Sequence, residues 1–352
     1  MGFFKKIFKR KIVGIDIGSD AIKIAEISSW GGIKKLENYG QVQSSLVSKS
    51  PILDLDEQGN LTSIDNISLA IKEVLKEANI KTKKAVFSLP DFLTFAVSFD
   101  IPPMPEKEIP AAIHYNASQY LTLPVSDVAL DWRISPHLPQ NNSAITVFLI
   151  AVPNQIIQEY EKIAKIAGLE IYALEAEVFG ISRALVKNMQ KTVCLLDIGA
   201  RSSTINIIDK GFLKRSYSND FCSGKLSLAV ASSMSLEPDE AEQLKNKKGI
   251  LQGQNTSQIL KPLVDKLFSY INNIFEDFSN KDHKKIDEFY LTGGTSSLPG
   301  LKDYFSEVFK KPVIYQNCFS DVSHPRILEK TLLELSSKFS AAVGVASGIL
   351  DE

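Results

Sequence analysis

Residues 11–43 read KIVGIDIGSD, AIKIAEIS and KKLENYGQVQ, three β-rich segments broken by Gly18-Ser19-Asp20 and Trp30-Gly31-Gly32, and so predict a meander of antiparallel strands. The period then changes. Over 63–79 the apolar residues Ile67, Ala70, Ile71, Val74, Leu75 and Ala78 recur at helical spacing, with Ser63 available as a cap, before KKAVFSLP returns to a strand. From Asp91 to about Gly168 the chain reads as a separate α+β module. FLTFAVSFDIP and SAITVFLIAVP have strand patterns, IPAAIHYNASQYL and NQIIQEYEKIAKIAG helical ones, and prolines stand at several boundaries. A connecting helix is predicted over 175–189.

At Thr192 the opening pattern comes back as TVCLLDIGARSSTINIID, followed by a strand-like GFLKRSYS. GIDIGSDAIKIAEI and LLDIGARSSTINII share strand, Asp-Ile-Gly, small polar turn and strand, which predicts two halves built on one plan. A helical stretch, KLSLAVASSMSLEPDEAEQLKN, leads into a second insert holding PLVDKLFSYINNIFEDFS. Strand DEFYL then enters TGGTSSLPGL, with KDYFSEVFKK following as a helix. The final helix, SSKFSAAVGVASGIL, carries Ala341, Ala342, Gly344, Ala346 and Gly348, small residues that let helices approach closely.

Three turns hold the candidate chemistry. Asp16-Ile17-Gly18-Ser19 and Asp197-Ile198-Gly199-Ala200 each end an apolar strand with a carboxylate and turn on glycine, so that backbone N–H groups can meet phosphate oxygens and the carboxylate can hold a hydrated Mg²⁺. Either turn alone reads equally as a plain hairpin. Two at equivalent points of a repeat can face each other across a cleft. The third turn, around Gly293, Gly294 and Thr295, lies between a strand and a helix N-terminus, where close backbone approach and the helix dipole favour a flat ring or an α-phosphate.

Composition narrows the class. With 352 residues and 44% hydrophobic content the chain can bury more than one core, and 40 basic against 41 acidic residues leave no overall field for nucleic acid. The local exception is MGFFKKIFKRK at 1–11, read either as a short amphipathic helix on an anionic bilayer or as a frayed basic terminus. No run approaches the roughly 20 apolar residues of a membrane span, and no signal peptide is legible, so a cytoplasmic protein is expected. Cys194, Cys222 and Cys318 are expected as buried, unpaired thiols, and His114, His137, His283 and His324 lack zinc-site spacing.

In order, the first phosphate-type loop, a connecting helix near 174–185, the second loop, the Gly293 loop and the terminal small-residue helix resemble the actin, sugar-kinase and DnaK-chaperone superfamily. The resemblance implies ATP bound between two ribonuclease-H-like domains of an α/β (α+β) actin-like fold. It puts Asp16 and Asp197 near Mg²⁺, and Gly18, Ser19, Gly199, Ala200, Arg201 and Ser202 around the β- and γ-phosphates, with Lys23 as a further candidate. Gly293, Gly294 and Thr295 form the adenosine loop. Glu242 and Lys245 match the family's ribose and adenine pair, or are a solvated helix pair. Glu175 falls where the family positions the attacking water, or is a buried capping carboxylate. The usual Gly-Gly pair is replaced by Phe221-Cys222-Ser223-Gly224-Lys225, so at most a weak ATPase is expected.

Residues 43–62 leave no room for the insert that actin, MreB and the chaperones carry there. The later insert is that of FtsA-like proteins, the 1C module. Expected boundaries are 1–90, 171–191 and 331–352 for domain 1A, 91–170 for 1C, 192–232 and 286–330 for 2A, and 233–285 for a smaller 2B insert. KIVGIDIGSDAIKIAEI, FAVSFDIPPMPEKEIPAAIHYNASQYLTLPVSDVALDWRI, EAEVFGISRAL, LLDIGARSSTINI and LTGGTSSLPGL are similar to the PilM family of type IV pilus and type II secretion machines. That similarity implies an ATP-binding cytoplasmic scaffold that captures the N-terminal tail of a PilN-type membrane protein in a groove between the first domain and the insert. It also implies contact with pilus motor ATPases, and with the inner membrane only through partners. The alternatives are an FtsA-like division or polymerising protein, against which the ending SGILDE counts because FtsA ends in an amphipathic helix, and a small-molecule kinase, for which no second acidic motif is found.

Overall fold

β-Branched residues make up half of β1 (Arg10–Ile17), isoleucines recur along β2 (Ala21–Trp30), and both strands are buried along nearly their whole length. Burial on both faces means that this sheet is covered on both sides. The computed structural model describes residues 9–47, 51–57, 59–135, 144–187 and 190–351; residues 1–8 of the basic segment lie outside these. β3 (Ile33–Gln43) completes the antiparallel meander. A single turn α1 (Ser44–Val47) and α2 (Ile64–Glu77) follow, with Ile67, Ala70, Ile71, Val74 and Leu75 facing the core. Ser63 takes the N-cap position without a side-chain capping bond. β4 (Lys84–Leu89) then adds parallel to β1.

Next come β5 (Phe95–Ile101), α3 (Ile109–Ala117), β6 (Val128–Ile134), β7 (Ile145–Pro153) and α4 (Asn154–Ala167). The three strands form their own antiparallel sheet in the order β5-β7-β6, with a small core of Phe99, Ile101, Ile109, Ile113, Val147 and Leu149 under α3. α4 departs from the sequence reading, which placed it in this module: Ile156, Tyr160, Ile163 and Ala164 join the first core, and α4 packs on α2.

A second correction concerns residues 175–189. They do not form one helix: β8 (Glu170–Ala176) is a strand, and α5 (Glu177–Leu185) begins only after it. The open parallel edge of β4 accepts residues 170–176 as a sixth strand, an attraction stronger than the helix preference of Ala-Leu-Glu-Ala.

The second half comprises β9 (Thr192–Ile198), β10 (Ser203–Asp209), β11 (Phe212–Asn219), α6 (Ser223–Met234), α7 (Pro238–Lys248), α8 (Asn255–Asp282), β12 (Glu288–Thr292), α9 (Leu301–Phe309) and β13 (Val313–Ile314), after which β14 (Val322–Ser323), parallel to β3, and α10 (Glu329–Asp351) return to the first half. The helical stretch read as continuous breaks at Ser235, which is left-handed (φ 54°), before Pro238 opens α7. Its sheet order, β11-β10-β9-β12-β13, repeats β3-β2-β1-β4-β8 of the first half strand for strand, with antiparallel and parallel pairings in the same places. The internal repeat is therefore a repeat of topology. α10 is buried over most of its last three turns and packs on α5, β1 and β2. Cys194, Cys222 and Cys318 are buried and unpaired.

Candidate functional site

β1 and β9 end at corresponding points, each in a two-residue hairpin. The Gly18 N–H donates to the Ala21 carbonyl at 3.0 Å and the Gly199 N–H to the Ser202 carbonyl at 2.9 Å. Neither glycine is left-handed, so the expected backbone bend is not their role. Their own amides close the turns. A phosphate would therefore meet the amides of the intervening Ser19, Asp20, Ala200 and Arg201.

Between the two hairpins lies a ring of carboxylates, of which Asp16 is buried and Asp91, Glu177 and Asp197 are half-buried. Ser88 Oγ donates to Asp16 Oδ1 at 2.9 Å and Lys23 Nζ to Asp16 Oδ2 at 3.1 Å. Asp197 Oδ1 is buried without a hydrogen-bond partner. Asp91, just beyond β4, and Glu177, the first residue of α5, complete the ring, with the Asp91 N–H donating to Glu177 Oε1 at 3.3 Å. Asp91 Oδ2 is also buried and unpartnered.

Burial, with Asp91 and Asp16 adding repulsion and Lys23 opposing it, pushes the Asp197 carboxyl up to about 7. Burial raises Asp91 to about 6, the Thr204 hydroxyl holding it back. Glu177 rises well above its ordinary range, through burial and then through Asp91, Asp197 and Asp16. Burial works against the Lys23 ammonium, but Asp16, Asp197 and Glu177 outweigh it and its pKa rises. Four acids around one lysine leave an excess of negative charge in a low dielectric, and unpartnered buried carboxylate oxygens are costly.

The donors suit a Mg²⁺ ion, with Asp197 Oδ1 and Asp91 Oδ2 as buried protein oxygens that lack a partner. Among the described residues no three acidic, histidine or cysteine side chains converge on one point. Such an ion would keep most of its shell as water and phosphate oxygen, as Mg²⁺ does in nucleotide sites.

The Gly293 turn packs directly on this ring. Gly293 is left-handed (φ 85°), and a Cβ there would fall 2.2 Å from Asp197 Oδ1 and 2.4 Å from the Ile198 carbonyl, so no side chain fits. Gly294 faces open space, and Thr295 is buried with an unpartnered Oγ1. On the far side, the buried Lys245 Nζ binds Glu242 Oε2 at 2.8 Å and Ser223 Oγ at 2.5 Å. Burial pushes the Glu242 carboxyl up, but Lys245, Ser227 and Asn246 outweigh it and hold its pKa down. The pair ties α7 to the first turn of α6.

Two predicted residues stand apart from the ring. Glu175 is clamped by Arg183, Nη2 to Oε1 at 2.6 Å and Nη1 to Oε2 at 3.2 Å, and the same guanidinium binds the Gly344 carbonyl at 2.8 Å. Arg183 thus engages both oxygens of Glu175, while Glu177, two residues on, faces the ring. Arg201 leaves the second loop and crosses to the first half, where Nη1 binds Asp54 Oδ1 at 2.6 Å and the guanidinium lies 5.4 Å from the Phe92 ring centroid. Asp91 and Glu177 were missed in sequence. Their signal was slight: carboxylates just after a buried strand, Asp91 beyond β4 and Glu177 beyond β8.

The model of the type IV pilus assembly protein PilM family matches residues 14–348. The structure superposes on that of a PilM-PilN type IV pilus biogenesis complex with a TM-score of 0.84 at 22% identity, covering 97% of this chain and 99% of that one. MreB5 of Spiroplasma citri bound to AMPPNP gives a TM-score of 0.51 at 13% identity, over 92% and 97% of the two chains. The cell division protein FtsA of Enterococcus faecalis is 22% identical over 348 residues, covering 86% of this chain and 77% of FtsA. The fold is thus the actin-like ATPase fold, and the late position of the three-stranded insert agrees with the FtsA-like branch. With the family model spanning nearly the whole sequence, the chain belongs to the type IV pilus assembly protein PilM family.

Proposed function

We propose that the ring between the two hairpins binds Mg-ATP and that the nucleotide sets the conformation of a scaffold in the type IV pilus machinery, which captures the N-terminal cytoplasmic tail of a PilN-type membrane protein. The observation that carries the nucleotide reading is the buried, unpartnered Asp197 oxygen beside Asp16, Asp91 and Glu177, a charge arrangement completed by a cation. Turnover is expected to be slow. The amides of Ser223 and Gly224, where relatives in the superfamily carry Gly-Gly, are spent on the Gly199 and Ala200 carbonyls at 3.0 and 3.1 Å.

The tail reading is supported by β6, an edge strand with alternating exposure that can accept an extended peptide. A cavity of about 170 Å³ lies where the insert meets α5 and the second half, lined by Arg133, Phe148, Phe179, Arg183 and Phe212. Among the described residues no helix is long and apolar enough to cross a membrane, so this reading gives membrane association through the partner. Contacts with pilus motor ATPases belong to the same proposal. A pull-down with a PilN-type N-terminal peptide, with and without Mg-ATP, tests it: retention that changes with nucleotide is expected, and absence of retention in both states rejects the tail assignment.

The Arg201–Asp54 bridge spans the two halves, and both side chains are more than a third exposed. Asp54→Asn should therefore change stability by less than about 1 kcal/mol. By releasing Arg201 towards phosphate it should tighten Mg-ATP binding about two- to fivefold in calorimetry.

A further inference from the structure

The end of the first sheet remote from the cleft has a character that nucleotide or tail binding does not explain. β1 and β4 both begin there, and β2 turns into β3 there, with Trp30 paired to Ile33 and Ser29 to both Arg10 and Lys34. The length of β1 separates this pole from Asp16 by roughly 20 Å. Gly31 and Gly32 (φ 60° and 84°) make the tight turn, leaving Trp30 67% and Ile33 70% exposed at its tip. A hairpin of this kind works equally well with polar flanks, so a bare indole and a bare isoleucine at its apex call for an occupant.

The surrounding charge states which. Lys9, Lys11 and Lys35 share only two carboxylates: Lys9 is 2.6 Å from Glu37, Lys35 is 3.8 Å from Glu37, and Lys11 is 3.7 Å from Glu26 and 3.9 Å from Glu37. Lys81, Lys83 and Lys84, at the start of β4, are exposed and have no ion-pair partner among the described residues. Their position at this pole is fixed by Thr82, which donates to Glu26 Oε1 at 2.6 Å. The nearby Lys34 is neutralised by Asp351 at 2.7 Å, and Glu170 stands opposite Lys84. Six lysines thus face three carboxylates, Glu26, Glu37 and Glu170.

We propose that this pole docks onto an anionic lipid bilayer, with Trp30 and Ile33 entering the interfacial layer and the lysines lying among the headgroups. Two protruding side chains on a convex turn are too small an area for a stable protein interface, but a bilayer deforms around them, and tryptophan favours the interfacial depth. A surplus of lysines around the tip is the complement of an anionic headgroup layer. The cleft stays free, because it opens at the other end of β1.

The test uses the full chain carrying Trp132→Phe, so that the remaining tryptophan emission reports Trp30. Vesicles of phosphatidylcholine alone are compared with vesicles containing about 30% phosphatidylglycerol. Co-sedimentation and a blue shift are expected with the anionic vesicles only, both reversed by about 0.5 M salt. Trp30→Ser with Ile33→Ser should lower partitioning about tenfold, and so should Lys81→Glu with Lys83→Glu and Lys84→Glu, both with unchanged melting and unchanged Mg-ATP binding. Equal partitioning to both vesicle types, an unshifted Trp30 emission, or undiminished binding of the Ser variant would each overturn the proposal. The peptide pull-down is independent of all three outcomes.

Discussion

Asp197→Asn should weaken Mg-ATP binding by about two orders of magnitude while raising the melting temperature of the nucleotide-free protein. The two effects have one cause. The Asp197 carboxyl sits at about 7 in the folded protein against an ordinary 3.8, because burial and the neighbouring Asp91 and Asp16 penalise its charge. Between those values the folded state holds a proton that the unfolded chain has released. The contribution of Asp197 to the stability of the empty protein is therefore most favourable at the acidic side, falls as pH rises from about 4 towards 7, and levels off above 7.

Asp91, at about 6, and Glu177, raised further, act in the same direction. A neutral amide removes one charge of a mutually repelling set, so part of the penalty is recovered, about 1–2 kcal/mol or roughly 3 °C. Scanning calorimetry at pH 5 and pH 8 checks the sign: the wild type should lose stability across this interval and the variant distinctly less. Titration calorimetry checks the other half, since the cation loses a charged oxygen that no protein group satisfies. Unchanged affinity together with an unchanged pH slope would remove Asp197 from the site.

Gly344→Val should abolish folding, measured as loss of soluble protein and of a cooperative melt. A Cβ at Gly344 would lie 1.9 Å from the Gly180 carbonyl oxygen and 2.3 Å from its carbon, and at Gly180 it would meet Val345 Cγ1 at 2.7 Å. On its other side α10 lies as close to β1, where a Cβ at Gly14 would meet the Ala342 carbonyl at 1.9 Å. The helix is gripped by backbone on both sides, so neither neighbour can yield by rotating a side chain. Overpacking of this kind exceeds the usual 1–3 kcal/mol, and about 4 kcal/mol or more is expected. Gly344→Ala should show most of the loss, because the first carbon already clashes. Gly294→Ala is the control: its added carbon meets nothing within 4 Å and its φ is not left-handed, so melting should be retained.

Much of the fold was legible because its signals are local. The apolar, β-rich runs of β1 and β2, the helical spacing of α2 and the run of small residues in α10 each mark what is buried. The return of Asp-Ile-Gly at Asp197 exposed a repeat that the two sheets then reproduce strand for strand. Where the reading failed, a neighbour had overridden local preference. Residues 175 and 176 read as the start of a helix until β4 offers an unpaired edge, and α4 follows the insert in sequence but buries Tyr160 in the first core.

The site divides in the same way. Sequence alone determined that two acidic turns stand at equivalent ends of equivalent strands, with a glycine turn to match, because a repeat carries its chemistry in register. It could not decide which further carboxylates join them. Glu175 and Glu177 differ by two positions in one short segment, and only the end of β8 and the guanidinium of Arg183 pair the first with a cation and leave the second facing Asp91, Asp16 and Asp197. Burial and mutual repulsion belong to the placement of charges brought together from four distant parts of the chain, and that placement exists only once the two halves and the connecting helix have packed.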